Sequence, residues 1–460
     1  MLKSLFSMLQ DLFGRDPGAL EDSEDATARL VFLGAVAAIV FIAGMATAHY
    51  RFFPYTTFVS ARIALADLRS NWASDTGIRP TRFLQPLAGE KSGTTVHNPD
   101  ISADGYTLIS GLFDDNVAAR LIDMDGNTIR QWDYPFDLVS AEAAAIPPVP
   151  APTDQWSYQI TGTVLLEDAS LIVNVGSMYM KMDSCGNHLW TAPVRGHHAV
   201  FKDSDGTFWG LGERHYTPPP ERWLSRVDSM RDDTVLHISE NGEVLSEVSL
   251  WDVMLQNDLH AIMGANGEAP SLQGGAFTSD DPMHANDIEV LSETAAAGIP
   301  LARAGDVMVS ARNLNLVIIF DPETLDVHWW QVGPWNRQHD PDIMSDGRIS
   351  VFNNNRDKQE FGGSSILAIH PITREIEKLY PLSEENEFYT QCCGMHQHLE
   401  NDNILITIEQ EGRLLETTRA GETAWEHVVR YDPEHVVKIF DGVRYPAEHF
   451  LADAFGVCDD

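Results

Sequence analysis

Residues 339–352 read HDPDIMSDGRISVF and residues 97–108 read HNPDISADGYTL, so in both stretches a histidine stands seven positions before an Asp-Gly pair. His198 lies at the same distance before Asp205. An Asp-Gly pair between apolar runs is the sequence form of a β-hairpin. Comparable stretches begin at His284, at His396 and, in the one unit without a histidine, at Thr161. This recurrence predicts repeated β-units that bring equivalent side chains together in space.

An aromatic residue closes each of six successive units, and each unit contains four short β-like runs. The closing residues are Trp132, Trp190, Trp251, Trp329, Tyr380 and Trp425. Units of roughly 60 residues that repeat in this way are typical of β-propellers, in which radial repetition protects the sheet edges. The sequence therefore predicts an all-β fold, a six-bladed β-propeller over residues 80–440, with residues 441–460 as a C-terminal tail.

A single apolar segment near the N-terminus predicts a membrane anchor. Residues 30–48 contain no charged side chain, and a helix of this length spans about 28 Å, close to the thickness of a bilayer core. We expect one transmembrane helix, preceded by an N-terminal tail (residues 1–29) and followed by a helical stalk (residues 49–79). A cleaved signal peptide is the alternative, because residues 46–48 have the small side chains of a cleavage site.

Composition narrows the range of partners. The formal net charge of −37 argues against nucleic acid, since phosphate binding needs a basic face. Four cysteines allow three disulfide pairings and the sequence does not choose among them; they are Cys185, Cys392, Cys393 and Cys458. His396 and His398 form an HxH pair, but no CxxC or HExxH spacing accompanies it, so we predict neither a metal nor a cofactor. Oligomeric state and membrane orientation stay open.

Propeller geometry places the histidines at one end of the central channel. The first strand of each blade lines the channel, so side chains at the strand starts cluster around one mouth. The second strand runs antiparallel and returns to the same face, where the chain carries Arg214, Arg312 and Arg356. Long connections, where binding and catalysis concentrate, also open on this face; they span residues 135–156, 213–233 and 252–283. Arginine binds oxygens in pairs and histidine acts as base, acid or nucleophile, so the pattern predicts a site for an anion with several oxygens.

Five short motifs follow one another in the second half of the chain. They are MHANDI (Met283–Ile288), VSARN (Val309–Asn313), WWQVG (Trp329–Gly333), QHD (Gln338–Asp340) and ISVFNN (Ile349–Asn354). This ordered set resembles the bacterial arylsulfotransferase family, and the similarity extends over about residues 80 to 430. The resemblance implies a periplasmic six-bladed propeller, here held at the inner membrane. It also implies transfer of a sulfuryl group from a phenolic sulfate ester to a phenol without a nucleotide donor.

The resemblance also implies roles for individual residues. His284, His339 and Arg356 match site positions of the family, whose sulfated histidine is expected in the last blade after its second strand. Residues 409–413 contain no histidine there, so His396, on the first strand of that blade, is predicted to attack the sulfur. Arg356 and His339 would stabilise the sulfuryl oxygens, and His284 would protonate the leaving phenolate. The predicted substrate-binding residues are Arg312, Arg214, His198, His398 and Asn353.

Two other functions are compatible with the sequence. A non-catalytic, membrane-tethered propeller that binds sulfated or other anionic ligands would retain the anion site but lack the nucleophile. A metal-dependent hydrolase would lose its activity to chelators.

Overall fold

The computed structural model describes residues 23–49, 76–87, 89–146, 149–223, 228–264, 280–356 and 363–458, with short pieces at 57–58, 61–62, 65 and 72–74. Most of the predicted stalk and most of the predicted N-terminal tail lie outside the described residues. The chain divides into two compact units, Met1–Trp72 and Ala73–Asp460, which are described separately.

The N-terminal unit contains helix α1 (Ser23–His49). Its part Ala28–His49 has a mean hydropathy of 2.5 and is long and apolar enough to cross a membrane. Large apolar side chains such as Phe41 are exposed, as expected for a helix whose surroundings are lipid. The predicted segment 30–48 lies entirely within this helix.

The second unit consists mainly of β-strands. In chain order the first of these are β1 (Leu84–Pro86), β2 (Gly93–His97), β3 (Tyr106–Phe113), β4 (Asn116–Ile122), β5 (Thr128–Asp133), β6 (Ile160–Leu165), β7 (Leu171–Val175), β8 (Met178–Met182) and β9 (His188–Thr191). The next are β10 (Gly196–Lys202), β11 (Phe208–Tyr216), β12 (Met230–Ile238), β13 (Val244–Ser249), β14 (Ala285–Val290), β15 (Val307–Ala311), β16 (Leu316–Phe320), β17 (Val327–Val332) and β18 (His339–Ile343). The last are β19 (Ile349–Asn353), β20 (Ser365–Ile369), β21 (Ile376–Tyr380), β22 (Met395–His398), β23 (Ile404–Ile408), β24 (Arg413–Thr417), β25 (Thr423–Val428), β26 (His435–Val437) and β27 (Gly442–Tyr445). Short helices in the connections are α2 (Phe136–Ala145), α3 (Leu250–Gln256) and α4 (Glu293–Ala297).

The strands form six antiparallel sheets arranged as the blades of a propeller, which confirms the predicted fold. From the inner to the outer edge, blades 1 to 6 have the orders β27-β3-β4-β5, β6-β7-β8-β9, β10-β11-β12-β13, β14-β15-β16-β17, β18-β19-β20-β21 and β22-β23-β24-β25-β2. A separate ribbon joins β1 to β26.

The ring is closed by segments from both ends of the second unit. β27 forms the inner strand of blade 1, where it pairs with β3, so residues 442–445 belong to the propeller and the predicted boundary at residue 440 is too early. β2 adds a fifth strand to the outer edge of blade 6, where it pairs with β25. The expectation that His97 begins an inner strand is therefore wrong, because this residue ends β2 at the periphery.

The closing aromatics form the seams between blades. Four tryptophan Nε1 atoms each donate to a backbone carbonyl in the turn between the third and fourth strands of a following blade. The pairs are Trp132 to Asp183, Trp190 to Glu240, Trp329 to Pro371 and Trp425 to Met124. Trp251 differs from the others because it lies on α3 and stacks on Trp223. A large apolar ring with one polar atom suits a dry seam that still contains a carbonyl.

Removal of the seam between blades 6 and 1 is expected to destabilise the whole ring. Trp425 is fully buried and stacks under the Arg444 guanidinium. Trp425→Ala should lower the free energy of unfolding by about 3–5 kcal/mol, measured by urea denaturation, because it leaves a large cavity. Trp330, which is 41% exposed, provides the control. Trp330→Ala should change the free energy of unfolding by less than about 0.5 kcal/mol. Equal effects of the two substitutions would show that the seam does not hold the ring together.

A disulfide joins Cys185, in the turn between β8 and β9, to Cys458 near the C-terminus. Of the three pairings that the sequence leaves open, the structure thus contains Cys185–Cys458, and Cys392 and Cys393 are free thiols. The predicted tail 441–460 is therefore attached to blade 2 as well as to blade 1.

Candidate functional site

Irregular backbone at the start of the inner strands positions the site histidines. The pairing of β10, β14 and β18 with the second strands shifts register at the first residues of each strand. His198 and His284 have positive φ values of 56° and 51°, which a β-branched side chain would rarely tolerate. A bulge at a strand end turns a side chain out of the regular alternation, and here it turns the histidines toward the channel mouth.

A cavity of about 450 Å³ occupies the central channel. His198, His339 and Cys393 line it beside the strand starts, and carboxylates from further along the inner strands line the rest. A volume of this size is typical of sites for small organic ligands. A second pocket of about 500 Å³ shares His198 with it and is bordered by residues 150–153. The connection 135–156 thus reaches the histidine face, as predicted.

Three imidazoles meet at the mouth. The rings of His198 and His284 lie 5.2 Å apart, centroid to centroid, and His339 is near enough to influence the pKa of His198. His197 donates from Nε2 to the carbonyl of Gly212 and lies 2.8 Å from His198, Nδ1 to Nδ1. This contact holds the His198 ring at Nδ1.

Hydrogen bonds likewise orient the other two rings. His284 Nδ1 donates to the carboxylate of Asp281 at 2.5 Å, and His339 Nδ1 donates to the side-chain oxygen of Asn354 at 2.7 Å. In each ring Nε2 is therefore the atom available for chemistry. Nε2 of His339 accepts a backbone N–H from Cys393 at 3.2 Å, at the long end of hydrogen-bond distances.

Burial keeps these imidazoles neutral. It lowers the pKa of His339 to about 3, with the nearby Arg312 as the next cause. Burial also lowers the pKa of His198 well below its usual value. For His284, burial again lowers the pKa, although the bond to Asp281 partly offsets this. Neutral imidazoles have the lone pair that a nucleophile or a base requires.

Arg312 supplies a cation in the same place. It follows β15 in a tight turn, and burial lowers the pKa of its guanidinium. Its Nε is buried without a hydrogen-bond partner, and among the described residues no carboxylate forms an ion pair with it. Asp281 lies nearby but is hydrogen-bonded to His284. A partly buried cation without a counterion is expensive unless an anion binds to it.

Two predicted binding residues lie away from this cluster. Arg214 pairs with Glu247 on the outer strand. Asn353 is fully buried and accepts N–H groups from Asn336 and Asn355, so it supports a turn and has no face for a substrate. Arg356 lies beside Arg337, whose pKa is lowered by burial and then by this neighbour. The connection predicted over residues 213–233 is shorter, because β11 and β12 extend into it.

His396 lies deeper in the channel and is engaged at both nitrogens. Its side chain is completely buried, Nδ1 contacts Asp340 at 2.9 Å, and Nε2 contacts the Ser350 hydroxyl at 2.7 Å. His398 also contacts Ser350, at 2.7 Å. Neither ring joins the cluster of His198, His284 and His339 at the mouth.

Carboxylates that the sequence analysis did not anticipate surround this deeper part of the channel. Burial and the nearby Asp340 raise the pKa of Glu289 and of Asp441 each to about 7. Burial, followed by Asp340, also raises the pKa of Asp287 and of Asp342 well above the usual range. Successive side chains of β14 and β18 point to opposite faces of the sheet, so every second residue lies on the channel face. A carboxylate at every second position is a pattern that can be seen in the sequence.

Asp441 is expected to make stability depend on pH. An unfolded carboxyl group titrates near pH 3.9, so between about pH 4 and 7 the folded chain holds the extra proton and loses stability as pH rises. Asp441→Asn should flatten this decline by up to about 1.4 kcal/mol per pH unit between pH 5 and 7 in urea denaturation. The exposed Asp453 provides the control Asp453→Asn, which should keep the wild-type slope. An unchanged slope in Asp441→Asn would mean that Asp441 ionises normally in the folded chain.

Sequence reasoning missed the residues that hold the histidines in place. Asp281 stands three positions before His284, and Asn354 follows the last residue of β19. Arg231 is also missed; it lies between Asp233 and Glu213 and raises the positive charge near His197. The position of Asp281 beside a histidine is visible in the sequence, whereas the Arg231 network depends on tertiary pairing.

Comparisons with known proteins identify a family for this chain. The arylsulfotransferase (ASST) family matches residues 162–430, more than half of the chain. No curated protein matches the chain.

Among solved structures, a protein of unknown function from Bacteroides caccae is similar at 10% identity, with 71% of this chain and 94% of that chain covered and a TM-score of 0.43. A streptogramin B lyase is similar at 10% identity, with 74% and 88% covered and a TM-score of 0.39. A virginiamycin B lyase from Staphylococcus aureus is similar at 12% identity, with 60% and 71% covered and a TM-score of 0.33.

Proposed function

Because the chain belongs to the arylsulfotransferase family, we propose that it transfers a sulfuryl group from a phenolic sulfate ester to a phenolic acceptor without a nucleotide donor. The observation that carries this proposal is Arg312, a partly buried guanidinium without an ion-pair partner among the described residues, beside the neutral imidazoles of His284 and His339. A sulfate ester has the charge and oxygens that such a group binds, and a 450 Å³ cavity accommodates an aryl ring.

His339 is the better nucleophile on geometric grounds. The sequence-based prediction assigned this role to His396, but both nitrogens of that buried ring are engaged. His339 lies close to Arg312 and lines the cavity, and its Nε2 lone pair accepts only a backbone N–H, at 3.2 Å. Its one contact at Nε2, the Cys393 N–H, is weak and would be replaced by sulfur.

The transfer takes two balanced steps. The Nε2 lone pair of His339 attacks sulfur, the bond from sulfur to the aryl oxygen breaks, and the phenolate leaves with its electron pair and takes a proton from solvent. The acceptor phenol then loses its proton to His284 Nε2, its oxygen attacks sulfur, and the N–S bond breaks to restore His339. Asp281 stabilises the proton that His284 takes from the acceptor, as a carboxylate does in hydrolase triads, and His284 then releases that proton to solvent. Arg312 holds the sulfuryl oxygens.

Two features support an extracytoplasmic location at a membrane. Helix α1 has the length and composition of a single membrane span. The Cys185–Cys458 disulfide is of the kind that persists in oxidising compartments and is rare in the cytosol. We therefore propose that the propeller faces the periplasmic side.

A transfer assay with p-nitrophenyl sulfate tests the activity. We expect p-nitrophenol release beyond one equivalent per chain to depend on added phenol, with the sulfuryl group recovered on that acceptor. Continued release without an acceptor would indicate a hydrolase, and saturable binding without release would indicate a binding propeller; either result contradicts the proposal.

A further inference from the structure

The HxH pair of blade 6 meets a carboxylate of blade 5 inside the channel. His396 and His398 are two positions apart on β22, so their side chains lie on one face of the strand. Nε2 of His396 lies 3.5 Å from a carboxylate oxygen of Asp342 on β18. One ligand atom from each of the three residues lies within 4.8 Å of those of the other two. This cluster shares no residue with the histidine mouth, and Asp342 and His396 line the same channel cavity as His339.

The support around His396 is the kind that metal-binding histidines have. Asp340 accepts from both the backbone N–H and Nδ1 of His396. The hydrogen bond from Nδ1 to Asp340 fixes the ring proton on Nδ1. The lone pair of Nε2 is then directed at the cluster. A carboxylate behind a histidine is the common outer partner of zinc ligands because it orients the ring and raises its basicity.

The distances fit a small transition metal. Metal–nitrogen bonds of about 2.0–2.1 Å place tetrahedral ligand atoms about 3.3 Å apart, close to the 3.5 Å between His396 and Asp342. Both Nε2 atoms lie 2.7 Å from the Ser350 hydroxyl, so a modest separation of the rings admits an ion beside that oxygen. Two imidazoles and one carboxylate favour zinc-like ions over calcium or magnesium, which prefer oxygen ligands.

Local charge distinguishes this cluster from two others with metal-binding side chains. His197, Glu213 and Asp233 lie against Arg195 and Arg231.

Cys392, Cys393 and Glu409 lie close to Arg312 and Lys438. The Asp342 cluster instead has Asp340 and Glu289 as neighbours. Arg348 and Arg419 also lie near His398, but Arg348 pairs with Asp346 and Glu377. A dication would relieve the repulsion among the carboxylates.

We propose that Asp342, His396 and His398 form a site for a divalent transition metal, such as zinc, which links the inner strands of blades 5 and 6. From the sequence we predict no metal, because no CxxC or HExxH spacing accompanies the HxH pair; the fold supplies a carboxylate from 54 residues earlier than His396.

Cobalt titration of the chelator-treated full chain in detergent tests the site. We expect one equivalent of Co²⁺ to bind with the visible absorption of a four- or five-coordinate ion, and Zn²⁺ to displace it. His398→Gln and Asp342→Asn should each weaken binding at least about 10-fold, and Asp340→Asn about 10- to 100-fold through orientation of His396. His237→Gln, which removes a histidine on β12, should leave the affinity unchanged.

Two results would overturn the site. One is wild-type Co²⁺ uptake no tighter than that of the doubly substituted His398→Gln/Asp342→Asn chain. The other is a thiolate-to-cobalt absorption band that disappears in Cys392→Ser, which would place the ion at the cysteines. The wild-type spectrum decides the question even if a variant fails to fold, and the sulfuryl-transfer proposal is tested independently at His339.

Discussion

Replacing His339 by alanine is expected to abolish sulfuryl transfer and to remove the sulfated-enzyme intermediate. The substitution deletes the lone pair that attacks sulfur, and loss of a covalent nucleophile lowers kcat by about 10³-fold or more. Wild-type chain incubated with ³⁵S-labelled p-nitrophenyl sulfate and no acceptor should retain label in acid-quenched protein, whereas His339→Ala should retain none. Because alanine leaves room in the cavity, added imidazole should restore part of the turnover.

The controls separate His339 from other histidines. His237 stacks on Trp209 away from the channel, so His237→Gln should keep both label and turnover. Because burial, and after it the nearby Arg312, lowers the pKa of His339 to about 3, labelling should persist unchanged from pH 8 to pH 5. If His339→Ala still becomes labelled while a folded His396→Gln does not, the nucleophile is His396, as the sequence alone predicts.

The repetitive part of the fold could be read from the sequence, whereas its closure could not. Hairpins and closing aromatics such as Trp132 recur at regular spacing, because each blade needs the same turns and the same seam. The pairing of β27 with β3 and of β2 with β25 joins distant parts of the chain. No local pattern identifies such partners, so residues 441–460 read as a tail and His97 as a repeat start.

In the site, too, some features can be predicted from the sequence and others cannot. His284 and His339 were predicted because register and motif both identify them. His396 has the same register, yet the structure places it against Asp340 and Ser350. The register of a repeat predicts the position of a residue along its strand. The hydrogen-bond partners of its side chain depend on tertiary contacts, which the register does not show. For the same reason Arg214 and Arg312 look equivalent in sequence, while only Arg214 is neutralised by a glutamate.

Substitution of Arg312 is expected to separate catalysis from stability. Arg312→Lys keeps a positive charge but loses the planar pair of N–H donors that fits sulfuryl oxygens. We expect kcat to fall about 10²- to 10³-fold, as on removal of one oxyanion donor. KM should change less, because negative charge on those oxygens increases toward the transition state. Arg120→Lys, at an arginine on β4 paired with Asp114, should leave kcat and KM at wild-type values.

Stability provides the second measurement for Arg312. A partly buried cation without a counterion among the described residues destabilises the free protein. Arg312→Met fills similar space without charge and should raise the free energy of unfolding by about 1 kcal/mol in urea while transfer is lost. A structural arginine behaves in the opposite way, since its removal lowers stability. If Arg312→Met unfolds more easily than the wild-type chain and retains transfer, Arg312 supports the fold and does not bind the sulfuryl group.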